Sequence, residues 1–400
     1  MMIRLRIYMT GIVQGVGFRP FIYRLAVRHG LGGWILNNGS GVQLEVEGEA
    51  AVIDTFLAAV QDEKPALSRI QTIKIESIPP ENELTFRIRE SVAGSGQSPL
   101  ISPDIATCPD CWREAGNPAD RRYRYPFTNC TNCGPRYSII TRTPYDRPFT
   151  TMSSFPMCPE CRQEYENPAN RRFHAQPNAC PACGPHYRLL SRTGEEISFS
   201  GTAGLFEAAR RLVQEGHILA VKGLGGYHLA CDARSEKAVT LLRSRKIRKD
   251  KPFAALCASL VTAKLHCEIS DSEAKLLTGP VRPIVLLRKS RQYALAPSVA
   301  PGNPRIGILL PYMPVHALLL DPPDIWVMTS GNVSDEPIAY EDEDALDRLK
   351  PIADYFLIHN RPIYRRVDDS VTAVFQGEPY LLRRSRGYVP VPIALAKNLP

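Results

Sequence analysis

Eight cysteines in two copies of one spacing constrain this chain more than any other feature. Cys108, Cys111, Cys130 and Cys133 read C-x2-C-x18-C-x2-C, and Cys158, Cys161, Cys180 and Cys183 repeat the pattern fifty residues on. Over 108–137, fourteen of thirty positions are identical at that offset, including Asn117-Pro118-Ala119 and Arg121-Arg122, so the stretch is an internal duplication. A C-x-x-C knuckle lets two thiolates grip one metal, and Gly134 and Gly184 permit the backbone this needs. In a long chain such pairs read as metal ligands rather than disulfides. Two structural Zn2+ ions are expected, each held by four thiolates with no open position. The spacing leaves open whether ligands pair within a repeat or between repeats.

The remainder divides around this duplication. Four hundred residues exceed one compact domain, and 44% hydrophobic with 22% charged residues is a globular balance. No apolar run reaches the roughly 18 residues that span a bilayer, and no cleavage site follows the N-terminus, so a cytoplasmic protein without membrane contact is expected. Residues 1–91 alternate strand and helix patterns in the order βαββαβ, which predicts a ferredoxin-like sandwich. Residues 92–107 open small and polar, as linkers do. Residues 108–190 carry the cysteines, and 200–390 alternate short strands with helices. The fold class is multidomain, α+β followed by a twisted α/β domain.

The first zone holds a candidate anion site. Gly11-Ile12-Val13-Gln14-Gly15-Val16-Gly17-Phe18-Arg19 joins a strand to a helix. In such a turn the backbone amides of Gly15, Val16, Gly17 and Phe18 cradle an anion at a helix N-terminus, and Arg19 adds a bidentate clamp. The stretch, with Trp34-Ile35-Leu36-Asn37, closely resembles the acylphosphatase signature. The resemblance implies that Arg19 holds an acyl phosphate while Asn37 orients the attacking water.

The last zone carries Lys222-Gly223-Leu224-Gly225-Gly226-Tyr227-His228, the cations Lys246, Arg248 and Lys251, and Thr329-Ser330-Gly331-Asn332. Asp368-Asp369-Ser370 and Arg383-Arg384-Ser385-Arg386-Gly387 follow. Any one of these alone is commonly a solvated turn or helix end. In this order they resemble the YrdC family, implying an ATP and carbamate site built from Lys222, Lys246, Arg248, Lys251, Ser330, Asn332, Asp369, Ser370, Arg384 and Arg386. The three modules in sequence resemble the HypF family of hydrogenase-maturation carbamoyltransferases. That resemblance implies carbamoyl phosphate and ATP as substrates, Mg2+ with the nucleotide, carbamoyl adenylate as product and HypE as acceptor. The sequence stops at Pro400, where that family's kinase-like transferase domain would begin, so the final transfer is expected to lie outside this chain.

The competing class is an RNA-directed adenylating protein, suggested by a net charge of +8 and arginine pairs beside the knuckles. Each tetrathiolate zinc centre carries a formal charge of about −2, which lowers that surplus and disfavours it. His174, His228 and His316 are not expected to bind metal.

Overall fold

The computed structural model describes residues 1–65, 67–92, 100–199, 201–333 and 336–393. Residues 93–99 of the expected linker lie outside the described residues. The first unit runs β1 (Met2–Ile12), α1 (Phe18–Arg28), β2 (Gly32–Asn38), β3 (Gly41–Glu49), α2 (Ala50–Asp62), β4 (Arg69–Ile78) and β5 (Phe86–Ile88). Its sheet is ordered β4-β1-β3-β2-β5, with β5 added parallel to β2. Alternation sends Ile7 and Met9 of β1 and Val42, Leu44 and Val46 of β3 to one face. Ile22 and Leu25 of α1 and Ile53, Phe56 and Val60 of α2 close that core. The ferredoxin-like expectation holds.

Local chemistry sets the cradle's position. The β2–β3 hairpin turns at Gly39-Ser40, where Asn38 Oδ1 accepts from the backbone of Ser40 and Gly41, both at 2.9 Å. Gln14 donates across to the carbonyls of Asn38 (2.9 Å) and Gly41 (2.7 Å). The Gly-rich loop is thereby pinned to the strand that carries Asn37.

The duplicated stretch folds as two copies of one unit. Helices α3 (Pro109–Gly116) and α4 (Pro159–Glu166) each start at the proline after the first cysteine, a favoured first position. Each stops before an asparagine whose side chain accepts from the amide two residues on, Asn117 to Ala119 and Asn167 to Ala169.

The last unit is built on a long mixed sheet. Its central strands run Ile284–Lys289, Arg305–Leu309, Ala254–Cys257, Ile325–Ser330, Tyr227–Asp232, Leu219–Lys222 and Tyr355–His359, side by side. Tyr187–Ser191 pairs antiparallel with Tyr355–His359, so the chain passes from the last cysteine directly into this sheet. Helices Gly201–Gln214 and Glu236–Arg245 pack Phe206, Ala209, Val213, Val239 and Leu242 against its faces. One apolar cluster joins Tyr125, Phe127, Ile139 and Ala179 of the cysteine unit to Leu219, Leu309 and Trp326 of the sheet. The two share a core.

Candidate functional site

Each four-cysteine group closes within its own repeat. In the first, Cys108–Cys130, Cys130–Cys133 and Cys133–Cys111 sulfurs lie 3.7, 3.9 and 3.5 Å apart. In the second, Cys158–Cys180, Cys180–Cys183 and Cys183–Cys161 lie at 3.7, 3.7 and 3.6 Å. Tetrahedral thiolates at the usual 2.3 Å from zinc stand about 3.8 Å apart, so the donor sets fit that ion. The spacing had left the pairing open; the geometry settles it as intra-repeat.

The repeats nonetheless exchange cations. Arg121 donates to Cys161 Sγ at 2.9 Å and, with Arg122, pairs with Glu164. In return, Arg171 donates to Cys111 Sγ at 3.1 Å, and Arg171 and Arg172 both pair with Glu114. Burial alone would raise the Glu114 carboxyl, but the two guanidiniums hold it down at about 2. Every thiolate cluster thus sits beside an arginine pair from the other repeat.

At the cradle, Gly15 and Gly17 have φ of 72° and 76°, the left-handed region that a side chain strains. A Cβ on Gly15 would meet Ser102 Oγ at 2.5 Å. Arg19 is buried, and its guanidinium donates to Ser91 Oγ (3.2 Å) and Asp146 Oδ1 (2.8 Å). Asn37 is 1% exposed, and its Oδ1 has no hydrogen-bond partner among the described residues. Both face a cavity whose opposite wall is Thr131, Arg136, Tyr145, His174 and Gln176 of the cysteine unit. Arg136 reaches across to the Gly15 carbonyl, and Tyr145 N donates to Gln14 Oε1 at 3.1 Å. Burial and the nearby Arg19 lower the His174 imidazole to about 4, so it is neutral at pH 7. The cysteine unit therefore roofs the anion cradle with uncharged and cationic groups, apart from Asp146.

In the α/β unit, the structure brings the scattered motifs to neighbouring strand ends. Lys246 Nζ donates to the Ser330 carbonyl (2.7 Å), the Asn332 carbonyl (2.5 Å) and Asn332 Oδ1 (2.7 Å). Burial, reinforced by Arg248 and Lys251, lowers its ammonium to about 7. Lys222 pairs with Asp342 at 2.5 Å and donates to the His359 carbonyl at 3.0 Å. Asp369 lies between Arg386 Nε (2.6 Å) and His228 Nε2 (3.0 Å), which hold it well below the usual carboxylate range despite burial. Ser370 Oγ donates to the Arg386 carbonyl at 2.9 Å.

The residues named from sequence separate into two kinds. Arg386 has a protein acceptor at each guanidinium nitrogen and stacks 3.5 Å from the Tyr312 ring, so with Asp369 and Ser370 it frames the site. Arg384 turns away toward the Tyr388 and Val391 carbonyls. Arg248 lies over Phe253 and caps the Lys251 and Pro252 carbonyls, while Lys251 is exposed. Sequence reading missed Asp146, Asp342 and His359, which carry no local signal, and considered His174 only as a metal ligand.

Comparisons with known proteins agree with this geometry. A family model described as acylphosphatase matches residues 5–88, and one described as HypF finger matches 107–140 and 157–190. A third, described as telomere recombination and covering the Sua5, YciO and YrdC group, matches 211–385. The carbamoyltransferase HypF of Synechocystis sp. is 48% identical, covering 98% of this chain and 51% of that protein. The probable carbamoyltransferase HypF of Methanocaldococcus jannaschii is 44% identical, covering 99% and 51%. A crystal structure of full-length HypF in its phosphate- and nucleotide-bound form matches with a TM-score of 0.94 at 45% identity, covering 99% of this chain and 51% of that one. The chain spans about half the length of the curated HypF relatives it matches. Along nearly its whole length, the chain is similar to about half of each of these HypF proteins.

Proposed function

We propose that the chain hydrolyses carbamoyl phosphate at the Arg19 cradle and activates the resulting carbamate with ATP on the α/β unit. The observation that carries this is Asn37 Oδ1, orphaned and buried opposite Arg19 in a roofed cavity. An acceptor so placed can hold a proton of a water aimed at a phosphoryl group seated on the loop amides. Water attacks phosphorus, the P–O bond to the carbamoyl carboxylate breaks, and carbamate leaves as an anion. Carbamate is a stable enough leaving group that no general base is required. Arg19 and the cradle amides meet the charge on the phosphoryl oxygens. Phosphate must displace Asp146 from Arg19 to bind.

At the second site a carbamate oxygen attacks the α-phosphorus of ATP, giving carbamoyl adenylate and pyrophosphate. Lys246, Arg248 and Lys251 neutralise the triphosphate, brought as its Mg2+ complex. Lys222, Ser330 and Asn332 line the same face, and Asp369, Ser370 and Arg386 support it, while Arg384 points elsewhere. Two Zn2+ ions hold the cysteine unit in shape, and that unit roofs the cradle. The acceptor we propose for the adenylate is HypE, at its C-terminal cysteine, as the resemblance to the HypF family implies. The reaction suits the cytoplasm, where thiolate centres stay reduced. Product analysis tests the reading: carbamoyl phosphate plus ATP should give phosphate, pyrophosphate and carbamoyl adenylate, which water cleaves to AMP, whereas ADP as the main nucleotide product would contradict it.

A further inference from the structure

Arg361 is 2% exposed, and its Nε and Nη2 have no hydrogen-bond partner among the described residues. A guanidinium stripped of water with its donors unmet points to an acceptor that belongs there. The carboxylate whose charge reaches it is Asp104, but Asp104 Oδ1 accepts instead from Arg136 N, Ser138 N and Ser138 Oγ. The guanidinium lies 5.0 Å from the Phe127 ring centroid and lines a cavity with Asn129, Gly134, Pro135, Leu224 and Tyr312. Asn129 Oδ1 is also buried without a donor among the described residues.

The cavity's position gives these orphans a meaning. Its wall, the 128–135 segment, belongs to the same loop whose Thr131 and Arg136 face the cradle cavity on the other side. Its far wall, Tyr312, carries the Arg386 guanidinium that holds Asp369. Leu224 sits in the glycine turn directly after Lys222. The cavity therefore lies between the two proposed sites, at the seam of the cysteine and α/β units.

We propose that Arg361 and Asn129 form a holding site for carbamate, in transit from the cradle to the adenylation face. The carboxylate takes the two free guanidinium donors in a bidentate pair, and the amino group donates to Asn129 Oδ1. A planar oxyanion carrying its own N–H satisfies both orphans, which chloride does not. The site holds carbamate away from bulk water, where it takes up a proton and falls apart to ammonia and carbon dioxide.

This rests on the function proposed above, and two measurements separate the failures. The first is the ratio of carbamoyl adenylate formed to phosphate released by the chain given carbamoyl phosphate and ATP. Arg361→Gln should lower that ratio at least tenfold, and Arg361→Lys, which keeps the charge but loses the fork, should lower it less. A ratio unchanged in Arg361→Gln, with wild type active, overturns the holding site and spares the function. The second needs no variant: wild-type crystals soaked in bicarbonate should show a planar anion on Arg361 Nε and Nη2. A cavity that stays empty or takes up water alone overturns the proposal, whatever the wild-type adenylation assay shows.

Discussion

The guanidinium of Arg121 donates to the sulfur of Cys161, 2.9 Å away and forty residues further along the chain. The equivalent Arg171 donates backward to Cys111 at 3.1 Å. Each repeat thus supplies the counter-charge for the cysteines of the other, which binds the two four-cysteine groups into one body. A lone repeat would leave its four thiolates without that compensation, and its Arg pair without Glu114 or Glu164.

Two zinc ions per chain are expected by elemental analysis of the reduced protein, falling to one in Cys130→Ser. Arg122, 1% exposed at its side chain and paired with Glu164, ties the halves together. Arg122→Ala leaves the part-buried Glu164 carboxylate with Arg121 alone and should cost about 1–3 kcal/mol in urea denaturation. It should also speed chelator-driven loss of one zinc more than of the other.

Arg19→Ala should lower kcat/KM for carbamoyl phosphate about 10²–10³-fold, the scale of removing one preorganised charge-stabilising donor. Thermal melts should show the protein still folded. Asp146→Asn should act oppositely on binding. Without the carboxylate on Arg19 Nη2, inorganic phosphate should inhibit more tightly than it does the wild type.

ATP affinity should depend on pH through Lys246. Burial, Arg248 and Lys251 bring its ammonium to about 7, so above that pH the empty site carries it largely neutral. A triphosphate raises it again, and binding then takes up a proton. Affinity should fall as pH rises from 7 to 9, by up to about tenfold per unit. Isothermal titration in buffers of different ionisation enthalpy reads the proton directly, and Lys246→Met should show none.

Asp369→Asn should destabilise the α/β unit by about 3–5 kcal/mol, because Arg386 is left buried without its carboxylate. The Asp369 carboxyl is depressed in the fold, so its contribution is present above the usual carboxylate range. It is lost as pH falls through the lower folded value. Wild type should therefore begin to lose this contribution once pH falls below the usual carboxylate range, and lose it progressively toward the lower folded value, as read by denaturation series at several pH values.

The legible parts of the chain were those whose chemistry is local. The C-x2-C-x18-C-x2-C spacing gave both thiolate clusters, and Gly15 and Gly17 marked the cradle because a left-handed turn before a helix needs them. The hairpin at Asn37–Gly41 was legible for the same reason. The runs Ala254–Cys257 and Tyr355–Ile358 stood out as short apolar strands, and the structure extends the second to His359. Tyr227–Asp232 did not, since its polar Tyr-His start reads as the tail of the glycine turn, and tertiary pairing with Ile325–Ser330 makes it a strand. The hairpin of Val371–Phe375 and Glu378–Arg383 turns on Gln376-Gly377 at φ 52° and 84°, where glutamine gives little warning. Least legible was what the units do to one another. Asp146 meets Arg19 across 127 positions, and Arg361 acquires its surroundings from four separate stretches. No spacing encodes such meetings; the packing of the units against one another does.

The central claim is that one chain couples acyl-phosphate hydrolysis to adenylation. Carbamoyl-phosphate-dependent exchange of labelled pyrophosphate into ATP tests it most directly, since exchange requires that carbamate made at the cradle reach the α/β unit. Exchange should appear in the wild type, vanish in Arg19→Ala and weaken strongly in Lys246→Met. No exchange in the wild type, or exchange undiminished in Arg19→Ala, would contradict the account.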